Sequence, residues 1–317
     1  MKMLTVSIAV CTANRADDLA VALDHLAHLH LPERIEVELI VVDNMPHDHT
    51  RRVVEAARTR MPFPLRILTE ATKGSGAARN CALRYAQGDI IAWTDDDCIV
   101  DREWLARIIQ HFQAKPSLDV LGGRIELFDQ THLPITIKTS TTHEVMGDET
   151  FPGAILLSCN MAFRRRVIER IGGFDIRFGA GARLRAGEDA EFILRAYRAG
   201  CHVAYTPDVL IYHNHKRTTE RQALALKSNY HAADGAFLMK HAVQGDRGAA
   251  RWLYWRFCHL VAAFAKKPLT MATTRERATF LVSFLQGCML YLRYMHASSC
   301  TEDSKMCHRV PEDGIRP

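Results

Sequence analysis

The sequence predicts an α/β fold, a mostly parallel central sheet with helices on both faces, followed by a C-terminal helical segment. Three observations carry this reading. Short apolar runs alternate with helical patterns through the first half of the chain, as strand–helix–strand units do. Three of those runs stop at polar clusters, Thr12-Ala13-Asn14-Arg15, Asp43-Asn44 and Asp95-Asp96-Asp97, and ligands of open α/β sheets bind outside the carboxyl ends of strands. The 317 residues, 48% hydrophobic and 24% charged, suffice for a full core of ordinary soluble composition.

The elements follow in order. Leu4 to Cys11 reads as the first strand. Asp17 to His28 is a helix, with Leu19, Leu23, Leu26 and Leu29 at helical spacing and Asn14 or Asp17 as its cap. Val37 to Val42 is a second strand, Thr50 to Arg60 a helix and Leu65 to Thr69 a third strand. Gly76 to Ala86 is a helix closed by Gly88, and Asp89 to Thr94 a fourth strand. Beyond the Trp104 to Phe112 helix and a Val120 to Leu127 strand, the polar Asp129 to Thr150 stretch reads as a loop or flap. A helix at Arg165 to Ile171, a Gly/Arg-rich loop from Gly179 to Gly187 and a helix from Glu188 to Ala199 come next. Two short strands, His202 to Thr206 and Val209 to His213, close this part.

Composition removes several function classes. A formal net charge of +5 does not indicate nucleic acid, and Arg164-Arg165-Arg166 lacks the aromatic interleaving of a nucleic-acid surface. Nine scattered cysteines form no Cys-x-x-Cys pair, so neither a disulfide framework nor a zinc site is expected, and a reducing cytosol is. The start of the chain lacks a signal-peptide pattern, and no apolar run reaches membrane-spanning length.

The aspartate triplet is the strongest local signal. Three adjacent carboxylates at the end of a buried strand repel one another unless a cation sits there. Hard divalent ions such as Mg²⁺ or Mn²⁺, held by one or two carboxylates and by substrate phosphate oxygens, fit that place. A solvated acidic turn is the plain alternative. Gly74-Ser75-Gly76 lacks the third glycine of a dinucleotide fingerprint and does not follow the first strand, which disfavours a dehydrogenase.

Across about Val6 to His215, an ordered set of motifs resembles the inverting glycosyltransferases of family 2, with their Rossmann-like GT-A fold. The set runs Val10-Cys11-Thr12-Ala13-Asn14-Arg15, Val41-Val42-Asp43-Asn44, Gly76-Ala77-Ala78-Arg79-Asn80 and Thr94-Asp95-Asp96-Asp97. It continues with Asn160-Met161-Ala162-Phe163-Arg164-Arg165, Gly172-Gly173-Phe174-Asp175, Gly187-Glu188-Asp189-Ala190-Glu191-Phe192 and His213.

The resemblance implies a metal-dependent transfer of sugar, with inversion, from a nucleoside-diphosphate donor, a UDP-sugar by expectation, to a hydroxyl acceptor in polysaccharide, glycolipid or other surface-glycan synthesis. Asp43 would accept hydrogen bonds from a pyrimidine edge, and Arg79 with Asn80 would contact base or ribose. Thr12 and Asn14 belong to the same nucleotide-sugar group. Asp95 would reach a ribose hydroxyl or the metal. Asp97 would ligate the ion, Mn²⁺ or Mg²⁺, with Asp96 as the alternative in the triplet. Arg15 and Lys73 are candidate phosphate contacts. Asn160, Gly173 and Phe174 are expected around the sugar or acceptor. Asp189 would be the general base, with Glu188 beside it, at a helix start that favours the charged carboxylate. His213, in preference to His215, would touch metal or phosphate.

Residues 1–220 are expected to form the catalytic domain, about 1–115 holding the donor and about 116–220 the acceptor and base. Residues 221–300 are expected to be helical and 301–317 a disordered tail. Between Arg251 and His296, seven Lys/Arg face one acid, amid Trp252, Tyr254, Trp255, Phe257, Phe280 and Phe284. Such helices fit the surface of an anionic membrane on its cytoplasmic face, packing on the catalytic domain, or a second subunit of a homo-oligomer. A glycan or lipid-linked acceptor would suit the first. The competing classes are a non-catalytic nucleotide-sugar-binding protein, which has no use for Glu188-Asp189, and a sugar nucleotidyltransferase, which would carry a Gly-rich basic signature after the first strand.

Overall fold

The computed structural model describes residues 3–267 and 270–299. The 301–317 segment, expected as a tail, lies outside the described residues. The chain separates into two compact units, Met1–Tyr230 and one beginning at His231.

In the first unit, β1 (Leu4–Thr12), α1 (Ala16–Ala27), β2 (Ile35–Asp43), α2 (Asp48–Arg58), β3 (Leu65–Thr69), α3 (Ser75–Tyr85) and β4 (Ile90–Asp95) alternate as the pattern predicts. β5 (Cys98–Val100), α4 (Trp104–Ala114), β6 (Leu118–Leu127), β7 (Glu144–Val145) and α5 (Pro152–Ile155) follow. Then come β8 (Asn160–Arg164), α6 (Arg165–Ile171), α7 (Glu188–Arg198) and β9 (His202–His213). The sheet order is β3-β2-β1-β4-β8-β6-β9-β5, with β7 on β9. The run β3-β2-β1-β4 is parallel, β8 lies antiparallel to β4 and β6, and β6 with β9 is parallel again.

Period-2 patterning splits the core between the two faces of the sheet. Val6, Ile8 and Val10 of β1 pack with Leu19 and Leu23 of α1, Val54 of α2 and Trp104 and Phe112 of α4. Ala9, Ile40 and Val42 point the other way, into Ala78 and Cys81 of α3, Val167 of α6 and Phe192 of α7. Helices therefore cover both faces.

Three local readings change. α1 is capped at Arg15 with no side-chain bond, and Asn14 takes a left-handed φ of 57° at the turn instead. Gly88 is required by close approach and not as a left-handed cap: a Cβ there would lie 2.3 Å from the Ser7 backbone nitrogen. The two strands expected at 202–206 and 209–213 are one strand with a register shift, its β6 partners passing from Gly123–Thr206 to Arg124–Leu210. Pro207 falls in that gap, where a residue without an N–H costs no ladder bond.

The division between the two units falls inside α8 (Glu220–Val243). The second unit holds α9 (Arg247–Ala262), capped by the Asp246 carboxylate on Ala249 N–H, and α10 (Met271–Ser299). Close packing of α8 on α10 needs small residues: a Cβ on Gly235 would lie 2.1 Å from the Phe284 carbonyl oxygen. Among the described residues no helix is long and apolar enough to cross a membrane.

Candidate active site

β1, β4 and β9 end at one edge of the sheet, and α3 and α7 begin there. Their termini enclose a cleft of about 380 Å³. Nine of the expected residues line it: Thr12, Arg15, Arg79, Asp95, Asp96, Asp97, Glu188, Asp189 and His213.

The triplet divides into three environments. Asp95 is partly open to the cleft. Asp96 is buried, accepting from Thr12 Oγ1 at 2.7 Å and from Arg15 Nη1 at 3.2 Å. Asp97 is also buried, accepting from the same Arg15 nitrogen at 2.6 Å, while its Oδ1 lies 3.3 Å from His213 Nε2. Burial and the neighbouring Asp97 charge push the Asp96 carboxyl up to about 7, against the pull of Arg15 and Thr12. Asp97 goes the other way: burial opposes ionisation, but the bonds from His213 and Arg15 hold it well below the ordinary carboxylate range. Burial would lower His213, yet its bond to Asp97 carries it up to about 9.

This donor set fits a hard or borderline divalent ion. His213 Nδ1 donates to the Thr136 carbonyl at 3.1 Å, which fixes the ring and leaves Nε2 directed at Asp97. Asp97 Oδ1, His213 Nε2 and the more open Asp95 carboxylate are O, N and O donors of the kind Mn²⁺ or Mg²⁺ accepts. His215, the alternative, spends both nitrogens on the chain: Nδ1 accepts from Arg217 N–H at 3.0 Å and Nε2 meets the Leu133 carbonyl at 3.1 Å. It does not line the cleft.

On the opposite wall, α7 opens at Gly187, whose φ of 82° suits glycine, and presents Glu188 and Asp189 in its first turn. Asp189 accepts from the backbone N–H of Ser158 at 3.1 Å and of Ala190 at 2.8 Å. Burial and the Glu188 charge raise its carboxyl, with Arg79 and the two N–H donors opposing. Glu188 is tied down, accepting from Ser75 Oγ at 2.7 Å and from Arg79 Nη1.

Seven expected residues do not line the cleft, for physical reasons. Asp43 is buried and gives its two oxygens to the N–H groups of Met45 (3.1 Å) and His47 (3.3 Å). Asn80 exchanges two 2.8 Å bonds with the backbone of Phe174, whose ring stacks on Phe192 at 4.4 Å between centroids. Gly173 is the close approach that allows this, since a Cβ there would fall 2.3 Å from Asn80 Oδ1. Asn160 is fully buried, accepting from Trp104 Nε1 at 2.8 Å and donating to the carbonyls of Arg124 and Val209 at 2.9 Å each. Lys73 and Asn14 are exposed outside the cleft. Asn160, Gly173 and Phe174 thus brace the walls and do not line the cleft.

Sequence reasoning missed Asn44, Ser75, Ser158, Thr136, Arg185, Arg217 and Tyr230, all in the lining. Asn44 is the most telling. Its Oδ1 accepts from Gly74 N–H at 2.8 Å and its Nδ2 donates to the Glu70 and Thr72 carbonyls, which fixes the start of α3 and so the place of Arg79. Its strand-end position beside Asp43 was a usable signal.

Comparison with known proteins agrees with this architecture. The chain is 30% identical over 213 residues to the succinoglycan biosynthesis protein ExoM of Rhizobium meliloti (strain 1021), a match spanning 66% of each protein, just under two thirds of the relative's length. Among solved structures it resembles S. aureus TarS 1-349 in complex with UDP-GlcNAc, with a TM-score of 0.62 at 20% identity, covering 90% of this chain and 82% of that one. It also resembles the mannosyltransferase PcManGT from Pyrobaculum calidifontis in complex with GDP-Man and Mn²⁺, with a TM-score of 0.56 at 20% identity, covering 94% and 87%. These likenesses establish the GT-A-like fold. The sequence pattern of Glycosyl transferase family 2 matches residues 7–172, more than half of the chain, and the chain belongs to that family.

Proposed function

We propose that this protein is a metal-dependent inverting glycosyltransferase that moves a sugar from a nucleoside-diphosphate donor, a UDP-sugar, to a hydroxyl acceptor in polysaccharide or other surface-glycan synthesis. One observation carries the reading: Asp189 shares a cleft with Asp95, Asp97 and His213, so a base and an anion-leaving side stand in one cavity. The roles of the relatives, succinoglycan biosynthesis for ExoM and UDP-GlcNAc bound to TarS, support the substrate class.

In this reading the nucleoside lies by Thr12 and Asn44, with Asp43 holding the turn behind it, and Arg15, Arg185 and Arg217 are the cleft cations available to the diphosphate. Asp97 and His213, with Asp95, would hold a divalent ion, which would supply charge neutralisation at the departing diphosphate. Asp189 takes the proton of the acceptor hydroxyl as that oxygen bonds to the anomeric carbon, and the bond from that carbon to the phosphate oxygen breaks with its electron pair leaving on the nucleotide. Attack opposite the leaving group inverts the centre. Glu188, neutralised by Arg79, orients the base.

A panel of nucleotide sugars tested by thermal shift and by product formation with Mn²⁺ or Mg²⁺ checks this. The true donor stabilises the fold by mass action and is consumed only with an acceptor. No stabilisation by any nucleotide sugar in either metal would remove the proposal.

The second unit bears on where the enzyme works. Tyr254, Trp255 and Phe257 of α9 are exposed, with Arg251, Lys266 and Lys267 nearby in sequence. The reading is of a peripheral enzyme on the anionic cytoplasmic face of a membrane, where lipid-linked acceptors reside. Co-flotation with anionic but not neutral liposomes is expected, and a protein that stays at the bottom of both gradients argues for packing between subunits instead.

A further inference from the structure

Behind the cleft, His213 has a second set of neighbours that the transfer reaction does not use. Cys98 opens β5 and is the direct cross-strand partner of His213 on β9. Cys159 immediately precedes β8. All three are buried, and the two Sγ atoms and one His213 ring nitrogen lie within 4.8 Å of one another. The Asp97 carboxylate lies beside this group, its Oδ1 3.3 Å from His213 Nε2 and 3.9 Å from Cys98 Sγ.

We infer that Cys98, Cys159 and His213 form a three-ligand site for a thiophilic divalent cation of the Zn²⁺ class, that the ion draws in the neighbouring Asp97 as its fourth ligand, and that its occupation switches the enzyme off. The geometry is the first reason. Bonds of about 2.0–2.3 Å to a tetrahedral ion place ligand atoms about 3.3–3.8 Å apart; of the separations from Asp97 Oδ1, that to His213 Nε2 is at that spacing and that to Cys98 Sγ, at 3.9 Å, is just beyond it. Donor chemistry is the second. Two sulfurs, one imidazole and one carboxylate form a set that zinc favours and that Mg²⁺ does not. Charge is the third: two thiolates and a carboxylate against a dication leave one negative charge, and Arg15 lies on the outer oxygen of Asp97 at 2.6 Å. Binding releases the two thiol protons and the His213 Nε2 proton to solvent.

Inhibition follows from shared atoms. His213 Nδ1 is committed to the Thr136 carbonyl, so Nε2, once it gives up the proton it shares with Asp97, is the nitrogen left to ligate. It serves either the oxygen-rich side, with Asp95 and Asp97, or the sulfur side. Since His213 and Asp97 both line the cleft, a soft ion arriving there reaches the sulfurs by passing between them.

The test uses the full chain, stripped of metal by a chelator and titrated with Co²⁺. Expected is a thiolate-to-cobalt charge-transfer band in the near ultraviolet that saturates at one ion per chain and is bleached by Zn²⁺. Cys98→Ser and Cys159→Ser each lose the band, whereas Asp95→Asn keeps it. The same serine variants retain activity without zinc and need at least about tenfold more Zn²⁺ for half-inhibition. Absence of the sulfur band in the wild-type protein overturns the site, as does a band that survives in both serine variants; the wild-type spectrum decides alone if a variant does not fold. Zinc inhibition that is unchanged in both serine variants, beside an intact sulfur band, overturns the switch. The inhibition arm rests on the proposed transferase reading, but the spectrum needs no substrate, so failure of that reading and failure of this one are separable.

Discussion

Arg79 donates through Nη1 to Glu188 while its Nη2 lies 3.3 Å from Asp95 Oδ1 and 2.9 Å from Ser158 Oγ, so one buried guanidinium ties the two walls of the cleft together. The planar fork of arginine suits that double task, and a lysine ammonium cannot meet both carboxylates in the same geometry. Arg79→Ala leaves two carboxylates without their cation and is expected to lose about 3–5 kcal/mol of stability by urea unfolding. Arg79→Lys keeps the charge and most of the stability, but kcat falls because Glu188 and Asp95 lose their fixed spacing. Equal kcat in Arg79→Lys and wild type would show that the fork has no positioning role.

Asp189→Asn is expected to lower kcat by about 10²–10⁴ while the affinity for UDP, measured calorimetrically, changes little. The pH dependence has a definite sign. A base works only when deprotonated, so kcat/KM rises with pH through the Asp189 pKa. Burial and Glu188 raise that pKa, so the acid limb lies above that of an ordinary aspartate. Removal of Glu188's charge by Glu188→Gln should move the limb down, and a limb that stays put would place the titrating base elsewhere.

His213 and His215 are two residues apart but stand in different trades, one facing Asp97 and one bonded only to backbone. His213→Ala should raise the Mn²⁺ concentration for half-maximal activity by about 10–100-fold. His215→Ala should leave that concentration unchanged and lower the melting temperature instead, because the N–H of Arg217 and the carbonyl of Leu133 lose their partner. If both variants shift the metal requirement alike, the assignment between them is wrong.

The fold was largely legible because period-2 and period-3.6 patterns report which side of an element is apolar, and β1 through β4 show this cleanly. The cleft was legible where chemistry and strand ends coincide, as at Asp95 to Asp97 and at Glu188-Asp189. What the pattern could not report is the direction of a polar side chain. Asp43 and Asn44 are adjacent, yet the first turns into its own loop and the second into the cleft. Arg79 and Asn80 divide in the same way, one into the cleft and one onto the Phe174 backbone. The choices made by Asn44, Arg79 and Asn80 depend on partners distant in sequence, which no local spacing encodes. α8 lies in the stretch expected to be helical, but its small amphipathic signal across twenty-four residues marks no single stripe as its face.

Asn160 gives the sharpest separation between a motif residue that contacts substrate and one that holds the frame. Its amide satisfies the indole N–H of Trp104 on α4, a β6 carbonyl at Arg124 and a β9 carbonyl at Val209, joining three elements at a point fully shielded from water. A residue with that job is costly to lose, since each buried group left without its partner is worth about 1–3 kcal/mol. Asn160→Ala should therefore lower the unfolding free energy by at least about 2 kcal/mol, with KM for the donor unchanged in whatever fraction stays folded. Asn160→Asp keeps the acceptor for Trp104 but turns an oxygen toward two carbonyls, so it should fare no better. Denaturant unfolding followed by Trp fluorescence, alongside donor KM, checks both. A raised donor KM at unaltered stability would return Asn160 to the sugar pocket.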